Sequence, residues 1–176
     1  MAVEPTGMFS KPLAAMADLL GECESFQTWV GVAAPDVGTP TGKTQALGRI
    51  HYIAYEDDEK DSQDDCLANR PLAIIGFGSG ASGERQTEPP SFDHSQTLEL
   101  SLEAPQTGDS ERDIFLNYTN AIGEIVAEIE SLTGEDGHLL ISSHRIIEGP
   151  GRPSDQAQAA GELPVIGATW EFEWSQ

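Results

Sequence analysis

The chain is poor in positive charge. Of its 176 residues only 9 are Lys or Arg, against 30 Asp or Glu, for a formal net charge of −21. That balance argues against a stable grip on a nucleic acid backbone, which needs clustered cations, and equally against anionic membranes. Cysteine is scarce, with two residues, Cys23 and Cys66. The first falls on an apolar helical stripe and the second in an acidic loop. No disulfide framework is expected, and a reduced cytoplasmic setting is the default. No apolar run approaches the roughly 20 residues that span a bilayer. No basic region leads into an apolar stretch at the N-terminus, so no signal peptide is expected. Hydrophobic residues make up 38% of the chain, enough for one core with long polar segments left over.

The clearest positive signal is the last strand, LPVIGATWEFEW over 163–174. Ile166, Ala168, Trp170, Phe172 and Trp174 alternate with Gly167, Thr169, Glu171 and Glu173. Period-two alternation marks a strand with one buried face. Each aromatic ring on that face can bury ~150–250 Å². An ending of this kind is expected of a complete domain.

Two helices stand out. The first starts at Ser10 with Pro12 in its first turn. Leu13, Met16, Leu19, Leu20, Cys23 and Phe26 recur at helical spacing, and Trp29 and Val30 close the segment before Gly31. The second starts at Ser110, with Asp113 completing a box-like cap. Its stripe is Ile114, Phe115, Tyr118, Ile122, Ile125, Val126, Ile129 and Leu132, and Gly134 is its stop signal. Glu124, Glu128 and Glu130 are expected to face water.

Strands are expected at 47–55, 71–77, 96–103 and 138–147. Segments 33–46, 56–69, 80–95 and 148–162 read as loops, because their glycines, prolines and charges leave little to bury. The order is helix, strand, strand, strand, helix, strand, strand. The expectation is one α+β domain over 1–176: a largely antiparallel sheet of about five strands, with two main helices on one face.

Several segments imitate functional motifs. Gly78–Gly83 matches G-x-G-x-x-G after an apolar strand, but ERQTEPP cannot open the helix that would hold a pyrophosphate. Gly38 to Thr44 resembles a phosphate loop with one residue too few between its glycines and no strand before it. The run Glu56, Asp57, Asp58, Glu59, Asp61, Asp64 and Asp65 lacks the Ca²⁺-loop pattern and its turn glycine. A solvated, self-repelling loop explains it better. His51, His94, His138 and His144 have no metal-ligand spacing. Ser142, Ser143 and His144 are neighbours on one expected strand, where they cannot act as nucleophile and base. Asn117-Tyr-Thr119 is a formal glycosylation sequon inside a helix and is discounted. No catalytic residue, cofactor or metal is expected, and the chain does not read as an enzyme.

The layout as a whole resembles the tail terminator, or tail completion, proteins of long-tailed bacteriophages. The resemblance covers 10–175. It rests on the short helix KPLAAMADLLGECESFQTWVG, the strands ALGRIHYIAYED, RPLAIIGF and TLELSLEA, the helix DIFLNYTNAIGEIVAEIESL, the segment LLISSHRIIEGPGRP and the final strand GATWEFEW.

The resemblance implies a hexameric ring on the end of the tail tube, made in the host bacterial cytoplasm and carried at the tail–neck junction of the virion. It implies three partners: further copies of itself, the tail tube protein, and a head–tail connector or head-closure protein. DNA passes through the lumen without specific binding. Asp57, Asp58, Glu59, Asp61, Asp64, Asp65, Glu171 and Glu173 are the candidate lumen or interface residues. The loops 33–46, 56–69 and 80–95 are candidate arms, although the acidic loop and the GSGASG excursion look longer than the resemblance requires. The alternatives are another neck component, such as a head-closure or head–tail joining protein, and a small acidic ligand-binding domain using the Gly78–Gly83 loop.

Overall fold

The computed structural model describes residues 10–52, 71–87, 90–105, 110–132, 141–151 and 165–175. Over 78–87, 90–96, 141–151 and 165–175, and at 105 and 111, it gives the backbone alone. The elements in order are α1 (Ser10–Glu22), α2 (Glu24–Trp29), a 3₁₀ turn (Ala34–Asp36), α3 (Pro40–Leu47), β1 (Ile50–Tyr52), β2 (Leu72–Thr87), β3 (Pro90–Pro105), α4 (Glu111–Leu132), β4 (Ile141–Gly151) and β5 (Val165–Ser175). The chain is thus mixed helix and sheet, compatible with the α+β class. Among the described residues no helix is long and apolar enough to cross a membrane.

The strands form one sheet in the order β1-β2-β3-β5-β4. β1 runs parallel to β2, and the remaining neighbours are antiparallel. Leu98, Leu100 and Leu102 are fully buried, and their pairing partners on β2 are Phe77, Ile75 and Ala73. On the other side of β3 the same leucines pair with Phe172, Trp170 and Ala168. This register puts the alternating apolar positions of β5, including Trp174 opposite Gln96, in the rows of the buried leucines. Met16, Leu19, Leu20, Phe26, Tyr118, Ile122, Ile125 and Ile129 pack with those leucines in a single cluster. All come from α1, α2 and α4. The helices therefore cover one face of the sheet.

Several sequence expectations are corrected. The first helix does not run on to Trp29. It breaks at Cys23, whose extended backbone starts α2 and whose Sγ accepts from Phe26 N at 3.4 Å. Segment 33–46 is not a loop. Thr39 caps α3 by accepting from Gly42 N, and Pro40 supplies the pre-set φ of the first turn. Gly42 is there for contact: a Cβ would strike the Asp36 carbonyl oxygen and come within 2.7 Å of Gln27 Oε1. Leu47 closes this helix, so β1 begins only at Ile50.

Segment 80–95 is not a loop either. β2 and β3 continue through it as a hairpin, paired from Ala81↔Gln96 to Thr87↔Pro90 after an irregularity between Phe77 and Ala81. The glycines lower local strand preference, but the cross-strand ladder overrides it. β4 spans Ile141–Gly151 and runs past the expected end at 147, so 148–151 is strand and not loop, while 138–140 lie outside the described residues. Its pairing with β5 is irregular at three places. The loop expected at 56–69, the stop signal Gly134 and residues 152–162 lie outside the described residues.

Candidate functional site

The expected lumen residues divide into two groups. Asp57, Asp58, Glu59, Asp61, Asp64 and Asp65 lie outside the described residues. Glu171 and Glu173 lie on β5, in the rows opposite to those of the buried leucines. Glu171 pairs with Glu99 on one side and with Arg145 on the other. Glu173 pairs with Thr97 and Ser143. Glu103 continues the row of Glu99 along β3. The sheet rows away from the helices thus carry several carboxylates and Arg145 as a counter-charge. The one directly opposed like-charge pair in these rows, Glu99 and Glu171, disfavours the sheet, and Arg145 on the other side of Glu171 offsets it.

The motif-like segments take up structural roles. Gly38 (φ 75) donates its N–H to Gln27 Oε1 at 2.8 Å. Thr39 Oγ1 donates to the Asp36 carbonyl at 2.6 Å. Lys43 Nζ sits 2.7 Å from Glu22 Oε1 and 3.0 Å from Asp18 Oδ1. Burial alone would lower the Lys43 pKa, but the two carboxylates raise it above its ordinary value. The amides and the lysine that a phosphate loop would turn toward its ligand are therefore engaged within the fold. Gly78–Gly83 runs inside β2, with no helix after it, so the dinucleotide fingerprint lacks its helix N-terminus.

The histidines are dispersed. His51 pairs with Ile74 on β1, His94 with Gly83 on β3 and His144 with Phe172 on β4, while His138 lies outside the described residues. Among the described residues no three His, Cys, Asp or Glu side chains gather as a metal site. Cys23 is buried, and burial pushes its thiol pKa up to about 12.

Two polar fixtures organise the helices that back the sheet. Gln27 is 1% exposed, donates to the Gly21 carbonyl at 2.8 Å and accepts from Gly38 N. It ties the end of α1 to the approach to α3. Glu128 on α4 accepts from Glu24 N at 2.6 Å and from Ser25 N at 2.9 Å. Burial opposes its charge, yet these hydrogen bonds outweigh burial and hold its pKa below the ordinary value. The helical pattern alone turns Glu128 toward water, because no local pattern announces a cap supplied to a distant helix.

Other features of the surface were missed. Tyr52 and Phe77 are 47% and 42% exposed near the root of the hairpin. Phe115 and Leu116 are 44% and 45% exposed near the start of α4. Among the described residues, β1 pairs with the hairpin no further than Ile75, and β5 no further than Ser95. Gly83–Thr87 and Pro90–His94 therefore form a ribbon of two strands with no third strand among the described residues. No protein-family model and no curated protein matches the chain.

Proposed function

We propose that this chain is a structural virion protein, a ring-forming tail terminator. It caps the tail tube, stops its polymerisation and joins the tail to the head connector, while DNA passes through the ring. The observation that carries this reading is the hairpin ribbon beyond the helix-backed part of the sheet. An isolated pair of strands is marginally stable in water. A ribbon of this length is suited to support from a neighbouring subunit. The carboxylate rows around Glu99, Glu171 and Glu173 suit a surface past which DNA must slide without sticking. The net charge of −21 acts in the same direction.

The test is light scattering of the purified chain with and without polymerising tail tube protein. The reading expects a ring, or a monomer that caps tubes and halts their growth. A chain that ignores the tube and binds the head connector moves the assignment to another neck protein. A monomer indifferent to both sinks the assembly reading altogether.

A further inference from the structure

The hairpin carries a break in register at its root. From Phe77↔Leu98 to Ala81↔Gln96, β2 advances four residues while β3 advances two. Gly78, Ser79 and Gly80 lie in that interval, so β2 holds two residues more than the ladder uses. The bulge falls just past Ile75, where pairing with β1 ends among the described residues. On its other side β3 is held: Leu98, Gln96 and Ser95 pair with Phe172, Trp174 and Ser175 of β5. β2 is therefore the strand with slack, and β3 is the fixed rail.

The outer ladder that results has two faults. Glu84 stands directly opposite Asp93, a like-charge pair that disfavours the ladder. The last pair is Thr87↔Pro90, so only Glu88 and Pro89 join the strands. Two-residue connections favour positive φ, which proline cannot adopt. Continuing the inner register without the break removes both faults. It sets Ala81 opposite His94, Ser82 opposite Asp93 and Glu84 opposite Ser91. Arg85 then meets Pro90, and 86–89 becomes a four-residue connection, a common hairpin length. A slide of two residues, about 7 Å along β3, leaves every residue on its own face, whereas a slide of one turns the ribbon over. Glycines at 78 and 80 fit a strand that bends in one register and straightens in the other.

We propose that the hairpin is a two-register switch, in which β2 slides by two residues along β3 and passes its slack from the Gly78–Gly80 bulge to the tip. The two registers differ at the free edge of β2. A bulge blunts an edge against pairing with another chain. The shifted register straightens β2 from Leu72 to Arg85 and opens that edge to an added strand. The switch follows from the pairing alone and does not rest on the ring reading.

Disulfide trapping in the full chain tests it, in a Cys66→Ser background where Cys23 is buried. With Ala81→Cys fixed, Gln96→Cys reports the bulged register, His94→Cys the shifted one and Phe92→Cys neither. A partner two residues out of register lies ~7–8 Å away, too far to bridge. Under oxidised glutathione, the Gln96→Cys and His94→Cys pairs should each close about tenfold faster than the Phe92→Cys pair. Deleting Ser79 and Gly80 removes the slack. It should bring the His94→Cys pair down to the Phe92→Cys level while the Gln96→Cys pair still closes. Glu84→Lys puts opposite charges across the bulged register and should slow the His94→Cys pair about two- to fivefold. Circular dichroism establishes that each variant is folded. A His94→Cys pair no faster than the Phe92→Cys pair overturns the proposal. So does one that keeps its rate after the deletion, or one indifferent to Glu84→Lys.

Discussion

Glu128 of α4 holds the backbone amide of Ser25 at 2.9 Å, across 103 residues of chain. With its other oxygen on Glu24 N, the carboxylate caps α2 from outside that helix. Glu128→Gln should lower stability by about 1 kcal/mol in urea unfolding at pH 7. The hydrogen bonds hold the folded pKa below the ordinary 4.5 despite burial. The charge-dependent part of the contact is therefore complete above about pH 4.5 and is lost as pH falls through the lowered folded value. The stability gap between wild type and variant should close in that acidic window. A gap that stays constant down to pH 3 would show that shape, not charge, holds the contact.

Cys23 should be chemically silent in the native protein. Burial raises its thiol pKa to about 12, so almost no thiolate exists at pH 8. In a Cys66→Ser background, alkylation at pH 8 should wait for denaturant and follow the unfolding curve. Rapid labelling without denaturant would contradict the buried position at the start of α2.

Two glycines should respond to alanine with opposite signs. At Gly42 a Cβ meets the Asp36 carbonyl and Gln27 Oε1. Gly42→Ala should cost about 1–3 kcal/mol through overpacking. At Gly123 a Cβ meets nothing within 4 Å, and the helix backbone loses an entropic penalty. Gly123→Ala should stabilise by roughly 0.5–1 kcal/mol. Thermal melts of both variants are enough to read the signs.

Tyr118 Oη donates to the Leu102 carbonyl at 2.9 Å in a buried setting, linking α4 to the middle of the sheet. Burial first, and Glu103 second, raise its pKa. Tyr118→Phe should cost about 1 kcal/mol. The cost should be the same from pH 6 to pH 9, because the phenol stays protonated throughout. A pH-dependent cost in that range would assign the effect to another group.

What could be read in the sequence was what depends on neighbours along the chain. The α4 stripe and the leucine alternation at 98, 100 and 102 are of this kind, since their periods decide their faces. The segment 33–46 misled because Pro40 and Gly42 read as helix breakers, when one starts the helix and the other makes room for Asp36 and Gln27. The segment 80–95 misled because its glycines are poor strand formers alone, and only the partner strand gives them their ladder. Glu128 was unreadable as a cap, since its partner amides lie more than a hundred residues away. Of the candidate site, Glu171 and Glu173 were placed on the right strand. That they share rows with Glu99, Thr97, Arg145 and Ser143 depends on pairing that no local pattern encodes.

The strand order has a consequence for a chain emerging from the ribosome. β5 follows β4 in sequence but lies between β3 and β4 in the sheet. When β4 leaves the exit tunnel, the place beside it in the sheet is still vacant. At synthesis rates of ~5–20 residues per second, β4 waits on the order of a second or more for the strand that joins it to the rest. During that interval the buried leucine rows end at an open edge on β3, and a holding chaperone would find its target there.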